Sequence, residues 1–247
     1  MKRIFPVASA FLLLLSLLTG CSKPMIESPI SADTESTPAE TKVEAGTADD
    51  STDGAYARQI ERYHTALSQQ WDTDAYWDQE MSPMAVYYYE GTPLDNVGFA
   101  FSDLDADGIR ELIIGAILGA DRDPLVFEIW TLRNGVPVML AQSGSHNRYY
   151  LQYAEEDDLW SVAYEAENGA ANHAVYYLQL SEGEFQVIQG VVFDALANES
   201  DPWFMAYDLD WNVSNDTPID EDTAVSVMNA GRSIYRAYAY SPYSLYP

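Results

Sequence analysis

The spacing of apolar residues divides the chain into a helical start, a strand-rich middle and a helical end. In GAYARQIERYHTALSQQW, which begins at Gly54, apolar side chains recur every three or four positions. That is the period of an amphipathic helix, and Asp53 is available as its N-cap. The apolar stripe of this predicted helix consists of Tyr56, Ile60, Tyr63, Leu67 and Trp71.

Between residues 84 and 190, apolar residues alternate with polar ones or form short continuous runs, which is typical of β-strands. The turn sequences RNG, EEDD and SEGE separate several of these runs. Short connections join antiparallel strands, because parallel strands need long crossovers. The pattern therefore predicts a meander built from the runs MAVYYYE, VGFAF, ELIIGAIL, LVFEIWTL, VPVMLA, RYYLQY, LWSVAYEA, HAVYYLQL and EFQVIQG.

The helical period returns in PIDEDTAVSVMNAGRSIYRAYAY, where Asp220 is the predicted N-cap and acidic residues fill the first turn. With a helix at each end and strands between them, the sequence predicts an α+β fold. We expect an antiparallel β-meander sheet with an N-terminal and a C-terminal helix packed on one of its faces. The C-terminal helix is expected to pack through Ala224, Val227, Met228, Ile234, Tyr235 and Tyr238.

Residues 1–20 are predicted to be a processing signal. Lys2 and Arg3 precede an apolar run, from Phe11 to Leu18, that is too short to span a bilayer as a stable helix. The segment runs into LTGC, whose last residue, Cys21, is the only cysteine. This ending resembles the lipobox of bacterial lipoproteins, and the resemblance implies that Cys21 carries a diacylglycerol and becomes the mature N-terminus. The alternative is an ordinary secretory signal that happens to contain a cysteine.

A lipid on Cys21 would leave no thiol in the exported protein, which excludes disulfides, zinc–thiolate sites and cysteine nucleophiles. We expect an extracytoplasmic protein anchored by this lipid to the bacterial cell membrane, at the cell surface. Residues 21–53 contain no aromatic residue and are dominated by Ser, Thr, Pro, Ala and acids, so they are predicted to be a disordered tether. Residues 54–247 have the length of a single globular domain.

The chain is strongly acidic, with 39 Asp and Glu against 12 Lys and Arg and a formal net charge of −27. Loss of the signal removes two positive charges and no negative one. Such a field repels phosphate backbones, so we expect no nucleic-acid partner. The same field favours divalent cations.

One stretch, SDLDADGIREL from Ser102 to Leu112, combines these acids in a regular frame. Asp103, Asp105 and Asp107 stand at every second position, and Gly108 follows directly. Calcium takes six to eight oxygens at roughly 2.3–2.6 Å, and a short loop supplies them by turning successive side chains inward. Without a cation these carboxylates repel one another. The alternative is a polar hairpin connection whose aspartates cap local backbone amides.

The frame of this loop differs from that of an EF-hand, because position twelve is Ile114 and both flanking segments have strand character. The stretch resembles the nine-residue D-x-D-x-D-G-x-x-[DE] loops of integrin-type FG-GAP repeats, which also occur in bacterial surface proteins. The resemblance implies a structural Ca²⁺ and a set of protein ligands. These ligands would be Asp103, Asp105, Asp107, the Ile109 carbonyl and Glu111.

A second acidic stretch, YDLDWNVSNDT, begins at Tyr207. It brings Asp208, Asp210, Asn212, Asn215 and Asp216 together but lacks the glycine and the regular frame of the first loop. A solvated acidic loop is the first interpretation, and a second metal site is the alternative.

No G-x-S-x-G, H-E-x-x-H, phosphate-binding or dinucleotide motif occurs in the sequence. We therefore expect a binding or interaction module whose partner is a glycan or a surface protein. The alternative is an extracytoplasmic hydrolase that acts on glycans through unidentified carboxylates. The 18 Tyr and 6 Trp either fill a half-buried sheet or line a sugar-binding groove. Candidates for such a groove are Trp130, Trp160, Trp203 and Trp211.

Overall fold

The structure, a computed structural model, describes residues 53–117, 124–155 and 159–247. The predicted processing signal, Cys21 and the tether up to residue 52 lie outside the described residues, as does most of the predicted EEDD turn. All described residues belong to the unit that spans Gly46–Pro247. None of its described helices has the length and apolar character that crossing a membrane requires.

Eleven strands of the described residues form one sheet in which every pair is antiparallel. The strand order is β10-β9-β8-β7-β6-β5-β3-β2-β1-β11, and β4 pairs with β3 off this path. The strands are β1 (Val97–Ser102), β2 (Glu111–Ala116), β3 (Leu125–Arg133), β4 (Val136–Gln142), β5 (Asn147–Ala154), β6 (Leu159–Glu167), β7 (Asn172–Ser181), β8 (Glu184–Asp194), β9 (Trp203–Ala206), β10 (Thr217–Pro218) and β11 (Ser241–Pro242).

The predicted meander is confirmed, and two of its turns have the expected chemistry. Asn134 and Gly135 between β3 and β4 both have positive φ, as do Glu182 and Gly183 between β7 and β8. Two central residues with positive φ define the two-residue hairpin turn whose twist matches that of the strands. The sequences RNG and SEGE thus encode the register of both hairpins.

Strand β4 lies off the main strand order of the sheet. Strands β4 and β5 both pair with the same edge of β3, each along a different part of it. Residues 128–133 of β3 pair with β4, whereas residues 125 and 126 pair with β5. Ser143 fills the branch point: its amide donates to the Phe127 carbonyl at 2.8 Å and its hydroxyl to the Val126 carbonyl at 2.5 Å. The same hydroxyl accepts the Tyr149 amide at 3.0 Å. Where the pairing of β3 with β4 ends, the Ser143 side chain therefore makes the hydrogen bonds that a partner strand would otherwise make.

The predicted strand MAVYYYE is wrong, because Pro83–Tyr88 forms a 3₁₀ helix. Ser82 accepts the Met84 amide and Pro83 occupies the first turn, where proline lacks only a donor that would be unpaired anyway. Strand β9 was not predicted. The other helices are α1 (Ala57–Gln69), α2 (Thr73–Asp78), α3 (Pro93–Asn96) and α4 (Glu221–Ser233).

The two predicted N-caps have different outcomes. Asp220 caps α4 as expected, accepting the Thr223 amide at 2.7 Å. Asp53 does not cap α1, because it starts a 3₁₀ turn (Asp53–Tyr56) and its carboxylate pairs with Arg110. Helix α4 ends at Ser233, so Tyr235 lies beyond it and stacks on Tyr150 with ring centroids 4.7 Å apart.

Both faces of the sheet are covered by apolar residues. The face with α1 and the neighbouring helical segments holds a core that includes Tyr56, Tyr63, Phe127 and Val175. The opposite face holds a second core, which is contacted by residues from loops and from the chain after α4. Leu104, Trp211, Val213, Tyr238 and Tyr240 provide these contacts.

Glu128 on β3 is a buried carboxylate that ties the helical segment to the sheet. Its oxygens accept the Ser82 amide at 2.7 Å and the indole N–H of Trp130 at 2.8 Å. The side chain is 1% exposed. Burial raises its pKa, and the hydrogen bonds it accepts oppose that rise.

We expect Gly231→Ala to destabilise the fold although alanine is the better helix former. Gly231 lies in α4, and a methyl group there would overlap the ring and hydroxyl of buried Tyr177. Overpacking of this kind costs about 1–3 kcal/mol, more than the helix-propensity gain. Urea unfolding should show the loss. Ser226→Ala, at an exposed position of the same helix, should show none; equal stability of the two variants would contradict this packing.

Glu128 should make stability fall as pH rises. Because its folded pKa is raised from 4.5, the folded state keeps the proton at pH values where the unfolded chain has lost it. The free energy of unfolding should therefore decrease above about pH 4.5, up to the folded pKa. Urea unfolding between about pH 4 and pH 8 should show wild type losing stability relative to Glu128→Gln, which does not titrate. Glu61→Gln, at an exposed position of α1, is the control and shows how loss of a surface glutamate changes the pH dependence of stability. A stability difference between wild type and Glu128→Gln that does not change with pH would contradict the raised pKa of Glu128.

Candidate metal site

The acidic loop joins β1 to β2, and its ends are fixed because Ser102 pairs directly with Glu111. Between them the chain reverses through two residues with positive φ, Ala106 at +58° and Gly108 at +88°. Gly108 adopts this conformation without steric cost, as its position in the motif requires. The loop is therefore a tight arc between the two strands.

Three of the predicted ligands meet in this arc. One carboxylate oxygen from each of Asp103, Asp105 and Glu111 lies within 4.8 Å of the other two. Asp107 is outside this group, and its Oδ1 accepts the Ile109 amide at 2.7 Å. Ligand roles for Asp107 and for the Ile109 carbonyl remain predictions.

Glu111 is the most buried member of the cluster, at 1% exposed. Its Oε2 accepts the Leu104 amide at 2.9 Å, and its Oε1 accepts the Thr131 hydroxyl at 2.9 Å. Burial raises its pKa to about 7, the charges of Asp105 and Asp107 add to the rise, and both hydrogen bonds oppose it. A cation in the arc would favour the ionised form.

Asp105 is the loop residue whose carboxylate most clearly lacks a partner. Its Oδ1 is buried and has no hydrogen-bond partner in the structure. Burial raises its pKa, and the charges of Asp107 and Asp103 raise it further. A buried carboxylate oxygen without a partner is costly, so this atom is the natural first ligand for a cation.

Asp103 shapes the loop while keeping ligand capacity. Its Oδ1 accepts the Asp107 amide at 3.1 Å and its Oδ2 accepts the Gly108 amide at 3.0 Å. Each carboxylate oxygen has a second lone pair, which is free for a metal. The two interpretations of the sequence are therefore compatible: the aspartates cap local amides, and the capped loop assembles the cluster.

The cluster lies beside the turn between β7 and β8, far away in sequence. Arg133 at the end of β3 donates to the Gly183 carbonyl at 2.8 Å and pairs with Glu184. Next to this contact is an open depression of ≈ 510 Å³ through which an ion could reach the loop. It is lined by Asp105, Ala106, Asp107, Gln179, Leu180, Ser181, Glu182 and Gln186.

The four tryptophans named as candidates for a sugar groove pack against other side chains of the domain. Trp130 is buried, and its indole donates to Glu128. The rings of Trp160, Trp203 and Trp211 contact other aromatic rings, at centroid distances between 4.8 and 6.2 Å. These rings contribute to packing, as expected for aromatic residues in a half-buried sheet.

A separate cleft of ≈ 330 Å³ lies between β5, β6, β7 and the end of α4. Glu165 in this cleft accepts hydrogen bonds from Arg232 at 3.0 Å and from the Tyr235 hydroxyl at 2.9 Å. Glu167 lies 3.7 Å from His146.

Thr131 is a member of the site that sequence reasoning missed. It lies 20 residues from Glu111 along the chain, and only the pairing of β3 with β2 brings it near.

No family model, curated protein or solved structure matches this chain. The chemistry of the loop is therefore the basis for assigning a function.

Proposed function

We propose that the protein is a lipid-anchored extracytoplasmic lipoprotein of the bacterial cell surface whose folded domain binds one structural Ca²⁺ and acts as a binding module. The observation that carries this proposal is the convergence of Asp103, Asp105 and Glu111 within 4.8 Å. The buried, unpartnered Oδ1 of Asp105 supports it independently.

The donor set favours calcium over other cations. All three side chains offer carboxylate oxygen, the hard donor that calcium prefers, whereas zinc and copper favour nitrogen and sulfur. Magnesium demands near-ideal octahedral geometry and keeps several waters. An arc with carboxylates of unequal burial suits the less demanding coordination of calcium.

The position of the cluster supports a structural role. Glu111 is the first residue of β2, its Oε1 is bonded to Thr131 on β3, and its Oε2 is bonded to Leu104 in the loop. A cation on this carboxylate would tie the loop to both strands. The cation would thereby fix the register of the hairpin and the place of Leu104 in the second core.

Exposed aromatic side chains support the binding module. Trp77 on α2 is 47% exposed and Tyr87 on the adjoining 3₁₀ helix is 71% exposed. Exposed aromatics are enriched where proteins bind partners, and their faces also stack on sugar rings. A glycan or another surface protein is the proposed partner.

Glycan hydrolysis is the less favoured function. It requires two carboxylates across one cleft, one of them with a raised pKa. In the described residues, the carboxyl groups with a raised pKa are those of Asp105, Glu111, Glu128 and Asp216. None of them lines the cleft that contains Glu165 and Glu167.

Calcium should raise the unfolding temperature of the full chain purified in detergent, and chelation should reverse the rise. At a calcium concentration 100 times the Kd, binding to the native state contributes about 2.7 kcal/mol. For a domain of this size that corresponds to roughly 5–10 °C in Tm. Differential scanning calorimetry with calcium, magnesium or a chelator measures the shift.

Asp105→Ala should abolish this calcium-dependent shift, because it removes the unpartnered carboxylate. Asp78→Ala is the matched control, since it deletes one exposed acid at the end of α2 and should keep the full shift. The calcium proposal fails if calcium leaves wild type unchanged, or if both variants respond alike.

The lipid anchor is tested at Cys21. Growth of the bacterial host with an alkyne-bearing palmitate should label the wild-type chain and leave Cys21→Ser unlabelled, because only the thiol starts lipid transfer. Ser22→Ala keeps the cysteine and should be labelled normally. Membrane fractionation should follow the same pattern, and a Cys21→Ser chain that still sediments with membranes would refute the anchor.

A further inference from the structure

Arg110 is the only basic residue between Asp103 and Glu111, and it occupies the eighth position of the loop, which the calcium-loop pattern leaves unspecified. Its guanidinium pairs with Asp53 at 2.5 Å and lies over the ring of Phe101, with Cζ 5.6 Å from the ring centroid. Both partners lie outside the loop, Asp53 in the 3₁₀ turn before α1 and Phe101 in β1. The side chain of Arg110 is therefore fixed from two sides, away from the loop itself.

The main chain of Arg110 is held by the same 3₁₀ turn. Tyr56, the last residue of the turn, is 0% exposed, and its hydroxyl donates to the Arg110 carbonyl at 2.9 Å. The ring of Tyr56 also contacts the ring of Phe101, with centroids 6.0 Å apart. The turn thus grips Arg110 through an ion pair at its start and a buried hydrogen bond at its end.

The fixed position of Arg110 also places Glu111, the most buried carboxylate of the metal cluster. Successive side chains of an extended chain point to opposite faces of a sheet. Phe101, which Arg110 contacts, packs on the core beneath α1, whereas Leu104, whose amide donates to Glu111, belongs to the second core. Arg110 and Glu111 therefore project to opposite faces, so a clamp on one residue sets the position of the next.

The ion pair also removes an electrostatic obstacle to a cation. An unpaired guanidinium beside the carboxylate cluster would repel calcium, and more strongly in partly buried surroundings than in water. The side chains of Asp53 and Arg110 are 14% and 34% exposed, so the pair is largely shielded from solvent. Asp53 therefore does two things: it positions Arg110, and it cancels the positive charge of Arg110.

We infer that Arg110 is a positioning residue of the proposed calcium site, and that Asp53 and Tyr56 extend the support of this site to the turn that leads into α1. Because these residues are assigned to the same site, the assignment rests on the proposed function. Calcium and the docked turn stabilise each other, since coupling between two parts of a protein is reciprocal. The turn follows the predicted tether, so calcium would secure the point at which the tether joins the domain.

The direction of one effect separates positioning from charge. If Arg110 acted on calcium through its charge alone, Arg110→Gln would tighten calcium binding. A positioning role predicts the opposite, about fivefold weaker binding, at the lower end of the usual coupling between sites. Calorimetric titration of the full chain in detergent measures the affinity. Arg148→Gln, at an exposed position of β5, is the control and should bind calcium as wild type does; equal or tighter binding by Arg110→Gln overturns the positioning role.

Tyr56→Phe tests the clamp without changing a charge. It removes only the hydrogen bond to the Arg110 carbonyl and should weaken calcium binding about fivefold, the equivalent of one neutral hydrogen bond. Tyr87→Phe, which removes an exposed hydroxyl, should leave the affinity unchanged. A merely structural bond would lower the Tm of the metal-free chain and leave the calcium affinity of the folded chain intact, and that result would contradict the clamp.

Hydrogen exchange followed by mass spectrometry examines the turn directly. In wild type, saturating calcium should slow amide exchange in residues 53–60 more than in α4, which lies outside the clamp. Arg110→Gln should lose this extra protection, because the turn is then no longer tied to the loop. Calcium that binds wild type and protects both segments equally would overturn the link between loop and turn.

The outcomes also separate the clamp from the calcium site. A wild type that binds no calcium refutes the site and the clamp together. A wild type that binds calcium, loses it with Asp105→Ala and keeps its full affinity with Tyr56→Phe and Arg110→Gln refutes the clamp alone.

Discussion

Burial of carboxylates is the constraint on which the rest of this fold depends. Glu111 and Glu128 lie on neighbouring strands at 1% exposure, and the hydrogen bonds described for both come from neutral donors. Removing a carboxylate from water is unfavourable unless it is hydrogen-bonded or paired with a cation. Glu128 meets this requirement through Ser82 and Trp130, within the core beneath the helices. Glu111 has Leu104 and Thr131 but also faces Asp103 and Asp105, so its neighbours add negative charge where a positive one would be favourable.

The two acidic loops are connected to the same part of the interior. Leu104 of the first loop and Trp211 and Val213 of the second pack on the second core, on the sheet face opposite α1. Each loop therefore combines apolar side chains that pack on the second core with carboxylates. An ion in the first loop would act on the packing of that face, where the helices make little contribution. Calcium binding and the stability of the second core are thus expected to be coupled.

The sequence predicts local chemistry well and distant contacts poorly. The turns at Asn134 and Glu182, the cap at Asp220 and the arc of the first loop depend on residues close together in the chain, so a single stretch encodes each. MAVYYYE was misread because an apolar run has no strong period, and the proline before it decided the outcome. Asp53 could not be known to pair with Arg110, nor Glu111 with Thr131, because both contacts join residues far apart in the sequence and only the folded chain brings them together. Asp107 fits the ligand motif, yet its carboxylate is directed to Ile109.

The sheet path ends on both sides in a two-residue strand that contains a proline, Pro218 in β10 and Pro242 in β11. Proline has no amide hydrogen to offer an incoming strand, and so short an edge provides little length for pairing. A lipid anchor would confine many copies to one plane at high local density, where edge-to-edge polymerisation is otherwise favoured. In such an array, these terminal prolines would protect neighbouring molecules from fusing into a continuous β-ribbon.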